Sequence, residues 1–238
     1  MKANEIVADR GQVPLEFDEV AHRYDLLTAL NPGYRKHLRW SAERMALASR
    51  CRILDLCCGT GLSTRALIET YPDAIVQGLD GSHAMIAHAR RKDFPTRVSF
   101  RVGDAMNLRG VGVEGPWDGI LMAYGIRNMP DIDECLAQIL TCLAPGGVVC
   151  FHEYSVTDSL WTRSLWNAVA LVVIVPFGRA TSPGSDIYRY LRKSVVRFDG
   201  VKDFENRLRR HGFTDVRTET MDGWQRGIVH SFIARRPA

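Results

Sequence analysis

The sequence predicts an α/β fold: a doubly wound, mostly parallel seven-stranded sheet, with N-terminal helices and a helical insert after the fifth strand. Three observations predict it. From Arg52 onward, short apolar runs alternate with amphipathic stretches, the pattern of strand–helix–strand units that pack helices on both faces of a parallel sheet. A glycine-rich turn, Gly59-Thr60-Gly61, follows the first of these runs. Acidic residues stand at or just beyond the ends of three successive runs, at Asp55, Asp80 and Asp104.

Two helices are predicted first. Phe17 to Leu30 places Val20, Tyr24 and Leu27 on one face, and Asn31-Pro32-Gly33 stops it. Arg35 to Ala48 repeats the period through Leu38, Ala42 and Met45. Arg52 to Cys57 then reads as a buried strand, followed by a helix from Leu62 to about Thr70. Ala74 to Asp80 is the second strand, and Ser82 is placed to cap a helix running through Lys92. Arg97 to Val102 and Trp117 to Ala123 are the third and fourth strands. Asp131 to Leu143 is helical and ends at Ala144-Pro145-Gly146-Gly147, and Val148 to Tyr154 is the fifth strand.

After Tyr154 the alternation breaks for a helical insert, Asp158 to about Lys193. Val201 to His211 is a further helix stopped by Gly212, and Phe213 to Glu219 with Gly227 to Ala234 form the last strands, adding an antiparallel edge. The expected organisation is one domain over residues 1–238. Residues 1–48 are its N-terminal helical segment, 51–154 the cofactor-binding core, 157–200 the insert or lid, and 201–238 the closing helix and strand pair.

Composition narrows the function classes. The chain carries 31 Lys and Arg against 27 Asp and Glu, a net charge of +4 with His neutral. That excess is small and scattered along the sequence, so no nucleic-acid partner is expected. Six cysteines form no Cys-x-x-Cys pair; they sit mostly in apolar runs as small hydrophobes, as in a reducing compartment. No metal site is expected. The first 14 residues hold no signal-peptide core, which leaves a cytoplasmic location as the expectation. The run Leu165 to Gly178 is too short to span a bilayer and ends at Pro176 and Gly178. It reads as a buried helix, a lid over an apolar substrate, or a surface dipping into a membrane interface.

The glycine turn supplies the chemistry. Gly59 and Gly61 let the backbone turn tightly and approach a ligand, while Asp55 at the strand end accepts hydrogen bonds from the loop or from a ligand's amino group. Asp80, at the end of the second strand, has the spacing at which a ribose is gripped. Met85 is placed for an adenine face or for the core, and Asp104 with Ala105 follows the third strand to read the adenine amino edge. A dinucleotide dehydrogenase is the rival. The third glycine of Gly-x-Gly-x-x-Gly is absent, Thr64 standing there, and no second nucleotide half follows. A ribose, an adenine and an amino acid without phosphate fit the three acids, which points to S-adenosylmethionine as cofactor.

The runs ILDLCCGTG, VQGLDGSHAMIAHAR, VGDA and LAPGG resemble the cofactor motifs of class I methyltransferases, whose fold is Rossmann-like. FDEVAHRYDLL, AYGIRNMPDIDECL and SDIYRYLRKSV extend the resemblance to the ubiquinone/menaquinone C-methyltransferase family, over about Phe17 to Ala234. The resemblance implies a cofactor-binding set of Tyr24, Asp55, Cys57, Gly59, Thr60, Gly61, Asp80, Gly81, Met85, Asp104, Ala105 and Tyr124. It also implies an acceptor side built from Tyr24, Asp25, Arg127, Asn128, Glu153, Tyr188 and Tyr190, with Arg127, Asn128, Tyr24 and Tyr188 as the catalytic candidates. A fixed cation at Arg127 suits stabilisation of a phenolate, or it pairs with Asp131 or Glu153. His22, His152 and His230 are each a candidate base or a structural histidine.

The implied substrate is a small hydrophobic aromatic, a demethylated quinol methylated on carbon, with peripheral membrane contact and a homodimer as candidate associations. The chain departs from the family at Cys57, Leu62 and Trp224-Gln225-Arg226, and it has Phe232 where the family has histidine, with His230 two residues earlier. These departures keep a C- or O-methyltransferase for another aromatic or polyketide-like acceptor open, beside a catalytically idle scaffold of the same fold.

Overall fold

The computed structural model describes Asp25, Thr28, Ala29, residues 31–176 and residues 187–238. Most of the first predicted helix, Tyr24 included, lies outside the described residues; Asp25, Thr28 and Ala29 are helical.

Seven strands form one sheet: β1 (Arg52–Leu56), β2 (Ile75–Asp80), β3 (Val98–Val102), β4 (Trp117–Ala123), β5 (Leu143–Tyr154), β6 (Thr214–Thr220) and β7 (Val229–Arg235). Their order is β3-β2-β1-β4-β5-β7-β6. The five strands β3, β2, β1, β4 and β5 run parallel, and β7 is antiparallel to both β5 and β6. The chain winds from β1 outward to β3, then returns to lay β4 on the other side of β1. That reversal opens a crevice at the carboxyl ends of β1 and β4, where ligands of such sheets bind.

Burial follows the layering. β1 and β4 are covered on both faces and are correspondingly apolar. On one face, α1 (Tyr34–Arg44) and α2 (Leu62–Thr70) contribute Ala42, Leu67 and Ile68 to a core with Ile53, Val76 and Cys150. On the other, α4 (Ile132–Cys142) and α7 (Val201–Arg210) bring Leu136, Ile139, Phe204 and Leu208 against Leu54, Ile120, Phe151 and Phe232. Helix α3 (His83–Arg91) covers β2 and β3, with its amino end capped by the Ser82 hydroxyl, which accepts from the Met85 amide at 3.0 Å.

The insert and the final strands differ in detail from expectation. Among the described residues the insert shows two helices, α5 (Leu160–Val169) and α6 (Ile187–Arg197), and α5 widens into a π turn at Ala170–Ile174. No helix among the described residues is long and apolar enough to cross a membrane. The antiparallel strand is internal rather than at the edge. β7 is buried along nearly its whole length, whereas β6, TDVRTET, is mostly exposed and suits the rim. Helix α1 stops at Arg44, before the predicted Ala48, because Ala46 takes a left-handed φ of 48°. The unfamiliar 224–226 stretch is tied to α1: His37 hydrogen-bonds Gln225 at 2.5 Å and Asp222 at 2.6 Å.

Phe204 meets Phe151 and Phe232 edge to face, with centroids 5.4 and 4.9 Å apart. It is a fully buried contact of α7 with the sheet, so Phe204→Ala leaves a cavity on a packed face. We expect a loss of about 3–5 kcal/mol in unfolding free energy, read from urea titration. A loss below about 1 kcal/mol would show that this face collapses around the gap.

Candidate active site

The loop after β1 is built on left-handed backbone. Cys57, Gly59 and Gly61 have φ of 59°, 54° and 84°. The two glycines serve different ends. A Cβ on Gly59 would meet nothing within 4 Å, so this residue faces open space that a ligand can approach, whereas one on Gly61 would stand 3.1 Å from the Phe94 ring. Cys57 holds the same hand at a steric cost; it lies against Gly125 of the β4 loop, where an added Cβ would come within 2.9 Å of its sulfur. Burial raises the Cys57 and Cys58 thiols far above their ordinary range, so neither is a nucleophile.

The acids sit in three different environments. Asp80 ties the loop down: one oxygen accepts the Gly59 amide at 2.8 Å and the other the Ser82 amide at 2.9 Å. Asp104 is exposed and accepts the Met106 amide at 2.8 Å, closing the turn that buries Ala105. Gly81 is exposed beside Asp80, and Met85 is buried behind it. Asp55 is fully buried. Its Oδ2 accepts from the Ser63 and Thr64 hydroxyls at 2.8 and 2.5 Å, and its Oδ1 has no partner among the described residues. Burial pushes this carboxyl up to about 7, against the pull of the two hydroxyls.

Asp25, from the N-terminal segment, reaches the same loop. Its carboxylate accepts from the Thr60 hydroxyl at 2.5 Å and pairs with Lys92 at 2.5 Å, while Lys92 also donates to the Thr60 carbonyl at 2.7 Å. Lys92 had no site role in the sequence; it stood there only as the end of a predicted helix.

Across the crevice, Tyr124 ends β4 with a left-handed φ of 57°. Its ring stacks on Tyr34 at 5.7 Å and lies 4.9 Å from Tyr154. Its hydroxyl hydrogen-bonds His152 Nε2 at 2.9 Å, His152 Nδ1 meets Ser41 at 2.7 Å, and Ser41 meets Ser231 at 2.7 Å. Arg44 closes this chain by donating to Ser231 at 2.9 Å. Burial, with the charges of His37, Arg44 and His230, pushes His152 down to about 3, so it is a neutral link that fixes the Tyr124 phenol.

Arg127 lies on a short 3₁₀ turn after β4 (Ile126–Asn128) and is buried. It pairs with Glu153, not Asp131: Nη1 donates to Glu153 Oε1 at 2.6 Å and to the Tyr124 carbonyl at 3.0 Å, and Nε donates to Ser194 at 3.3 Å. Burial opposes its charge, but Glu153 leads the groups that outweigh it and hold the guanidinium cationic. No hydrogen bond from Nη2 reaches a described residue. Asn128 donates to the Tyr124 carbonyl and accepts from the Tyr190 hydroxyl, both at 3.1 Å. Glu153 faces His230 across the β5–β7 pair; Glu153 Oε2 and His230 Nδ1 are both buried without a partner among the described residues. Burial pushes His230 down to about 4. On α6 the Tyr188 hydroxyl is also buried without a partner among the described residues.

A glycine loop and a buried Arg–Glu pair facing each other at the switch in strand order define an enzyme of the doubly wound, Rossmann-like class. A sequence model of the ubiE/COQ5 methyltransferase family matches residues 5–235, and the chain belongs to that family. It is similar to the demethylmenaquinone methyltransferase of Thermus thermophilus, 34% identical over 93% of this chain and 100% of that one. The demethylmenaquinone methyltransferase of Parafrankia sp. is 31% identical over 95% and 94% of the two chains. Among solved structures, the [4+2]-cyclase SpnF superposes with a TM-score of 0.71 at 17% identity, covering 95% of this chain and 96% of that one. Phosphoethanolamine N-methyltransferase 2 of Haemonchus contortus, in complex with S-adenosyl-L-methionine, gives 0.67 at 19%, covering 93% and 57%. These two likenesses are of fold.

The Asp55 carboxyl generates a prediction. Native Asp55 holds its proton more tightly than an unfolded aspartate, so the stability this gives is present below pH 3.8 and lost as pH rises to about 7. Asp55→Asn removes the titration. The difference in unfolding free energy between wild type and variant should therefore move against wild type between those limits, by a few kcal/mol at most. A difference that stays constant across the range would mean the carboxyl is ionised throughout.

Proposed function

We propose that this methyltransferase moves a methyl group from S-adenosylmethionine to a ring carbon of a demethylated prenyl quinol. The cofactor fits the residues present. Asp55 Oδ1 is an orphaned buried acceptor suited to a cationic amino group, Gly59 leaves room for close backbone approach, and Asp80 stands where a ribose is held. When bound, the cofactor supplies an electrophilic methyl on a positively charged sulfur.

The observation that carries the acceptor reading is Arg127. Its charge is fixed by Glu153, and its Nη2 is still unspent at the carboxyl edge of the sheet. A cation so placed would stabilise the oxyanion left when a ring hydroxyl gives up its proton; the adjacent ring carbon would then take the methyl as the sulfur–methyl bond breaks, and the hydrogen on that carbon would leave to solvent as a proton, restoring the ring. Asn128, clamped by Tyr124 and Tyr190, orients the ring. Tyr124, Tyr154 and Trp166 pack in series, Tyr154 lying 4.7 Å from Trp166, and exclude water from the acceptor. Relatives named demethylmenaquinone methyltransferase support the quinol reading over that of another aromatic acceptor.

The test is incubation with methyl-labelled S-adenosylmethionine and a panel of demethylated quinols and polycyclic phenols. Label on a quinol ring carbon is expected; label only on oxygen, or only on the phenols, would overturn the reading. Arg127→Ala should cut turnover about 10²–10³-fold and leave cofactor affinity nearly intact, since Arg127 lies on the acceptor side. Equal losses in both would place it in the cofactor site instead. Asp80→Ala should weaken S-adenosylmethionine binding by about 1.5–3 kcal/mol in calorimetry, and unchanged binding would remove Asp80 from the ribose site.

A further inference from the structure

The exposed apolar surface is gathered in one place. Among the described residues six large hydrophobic side chains are exposed, and five lie in the insert: Leu160, Trp161, Leu171, Val172 and Val173, between 51% and 82% accessible. Trp161, Ser164, Ala168 and Val172 recur at intervals of three and four and are all exposed, so one side of α5 and its π turn is free of charge. The opposite side buries Trp166 and Ala170. The patch is therefore the outward face of a helix whose inward face is already anchored.

Helix α6 packs beside it, and Arg192 Nε donates to Asn167 Oδ1 of α5 at 2.9 Å. Arg189, Lys193 and Arg197 stand four residues apart on α6 and are all exposed. With Arg163 and Arg192, the described parts of the insert helices and π turn carry five cations and no acid, in a chain whose whole net charge is +4. Four of the five lie within the nine residues 189–197 of α6, and Arg163 lies on α5.

We infer that this helical pair is a docking surface for an anionic phospholipid bilayer. Tryptophan and branched aliphatic side chains enter the head-group and acyl boundary, and the cations meet anionic head groups. A second copy of the chain fits poorly, because it would set five cations against five. Nucleic acid would satisfy the cations and leave the apolar side chains in water. The purpose of docking rests on the prenyl-quinol reading, since a bilayer holds such a substrate; the surface itself stands on exposure and charge alone.

The test is flotation of the full chain with phosphatidylcholine vesicles with and without phosphatidylglycerol. Binding to the anionic vesicles is expected, at least about tenfold stronger than to phosphatidylcholine alone, and weakened by salt. Trp161→Ser with Val172→Ser, and separately Lys193→Glu with Arg197→Glu, should each reduce it by about tenfold or more. Thermal unfolding and S-adenosylmethionine binding of these surface variants should match wild type. Unaltered flotation of both variants, no binding by wild type, or a dimer that the apolar variant dissolves would each overturn the inference. Failure to methylate any quinol while flotation persists would overturn the acceptor reading and leave the docking surface standing.

Discussion

The buried ion pair between Arg127 and Glu153 is the interaction on which the joining of β4, β5 and the insert depends. Removing both charges from water costs several kcal/mol per ion, which only close geometry and further hydrogen bonds offset. The chain supplies both. Glu153 Oε1 takes the guanidinium at 2.6 Å and the Tyr154 amide at 2.8 Å, while Arg127 reaches the Tyr124 carbonyl and Ser194. One pair thereby fixes β4, β5 and α6 to one another. The network extends further: Asn128 donates to the same Tyr124 carbonyl, and Tyr190 donates to Asn128. The insert is consequently not a loose appendage but is tied to the site at Ser194 and Tyr190.

The cofactor half is organised by a different economy, in which backbone amides rather than charges are satisfied. Asp80 spends both oxygens on main-chain donors, so its side chain shapes the loop that it shares with a ligand. Asp55 does the reverse and keeps one oxygen unsatisfied at the cost of a raised pKa. A group in that state favours a cationic ligand, because ligand binding restores the ionised form that burial disfavours. The two aspartates look alike in the sequence, and only their surroundings separate a structural acid from one held in readiness.

What the sequence made legible was whatever repeats or is chemically local. Alternating apolar runs located the parallel strands, and the glycines with their following acids located the loop after β1. The polar chain from Tyr124 through His152 and Ser41 to Ser231 was not legible. Its members lie just after β4 and on β5, α1 and β7, far apart in the sequence, and serines and histidines so dispersed carry no periodic signal. The internal position of β7 was hidden for a related reason. A hairpin-like strand pair announces antiparallel pairing, but which member enters the sheet depends on burial on both faces, and only the contrast between VHSFIAR and TDVRTET hints at it. Arg189, Lys193 and Arg197 read as scattered charge until helical spacing aligned them.

Backbone strain marks the same crevice independently of the side-chain chemistry. Among the described residues four non-glycines have left-handed φ, and two of them, Cys57 and Tyr124, directly follow the adjacent strands β1 and β4. Each such conformation costs on the order of 1–3 kcal/mol and persists only where its surroundings over-determine it. Cys57 is held by close packing against Gly125, and Tyr124 by its bond to His152 and its contacts with Tyr34 and Tyr154. The position of the strain is informative because these two strands flank the reversal of strand order. Helices leave the sheet in opposite directions there, so the loops must turn apart sharply, and the gap they open is the ligand crevice. The left-handed turns are thus the local means by which a global topology becomes a site.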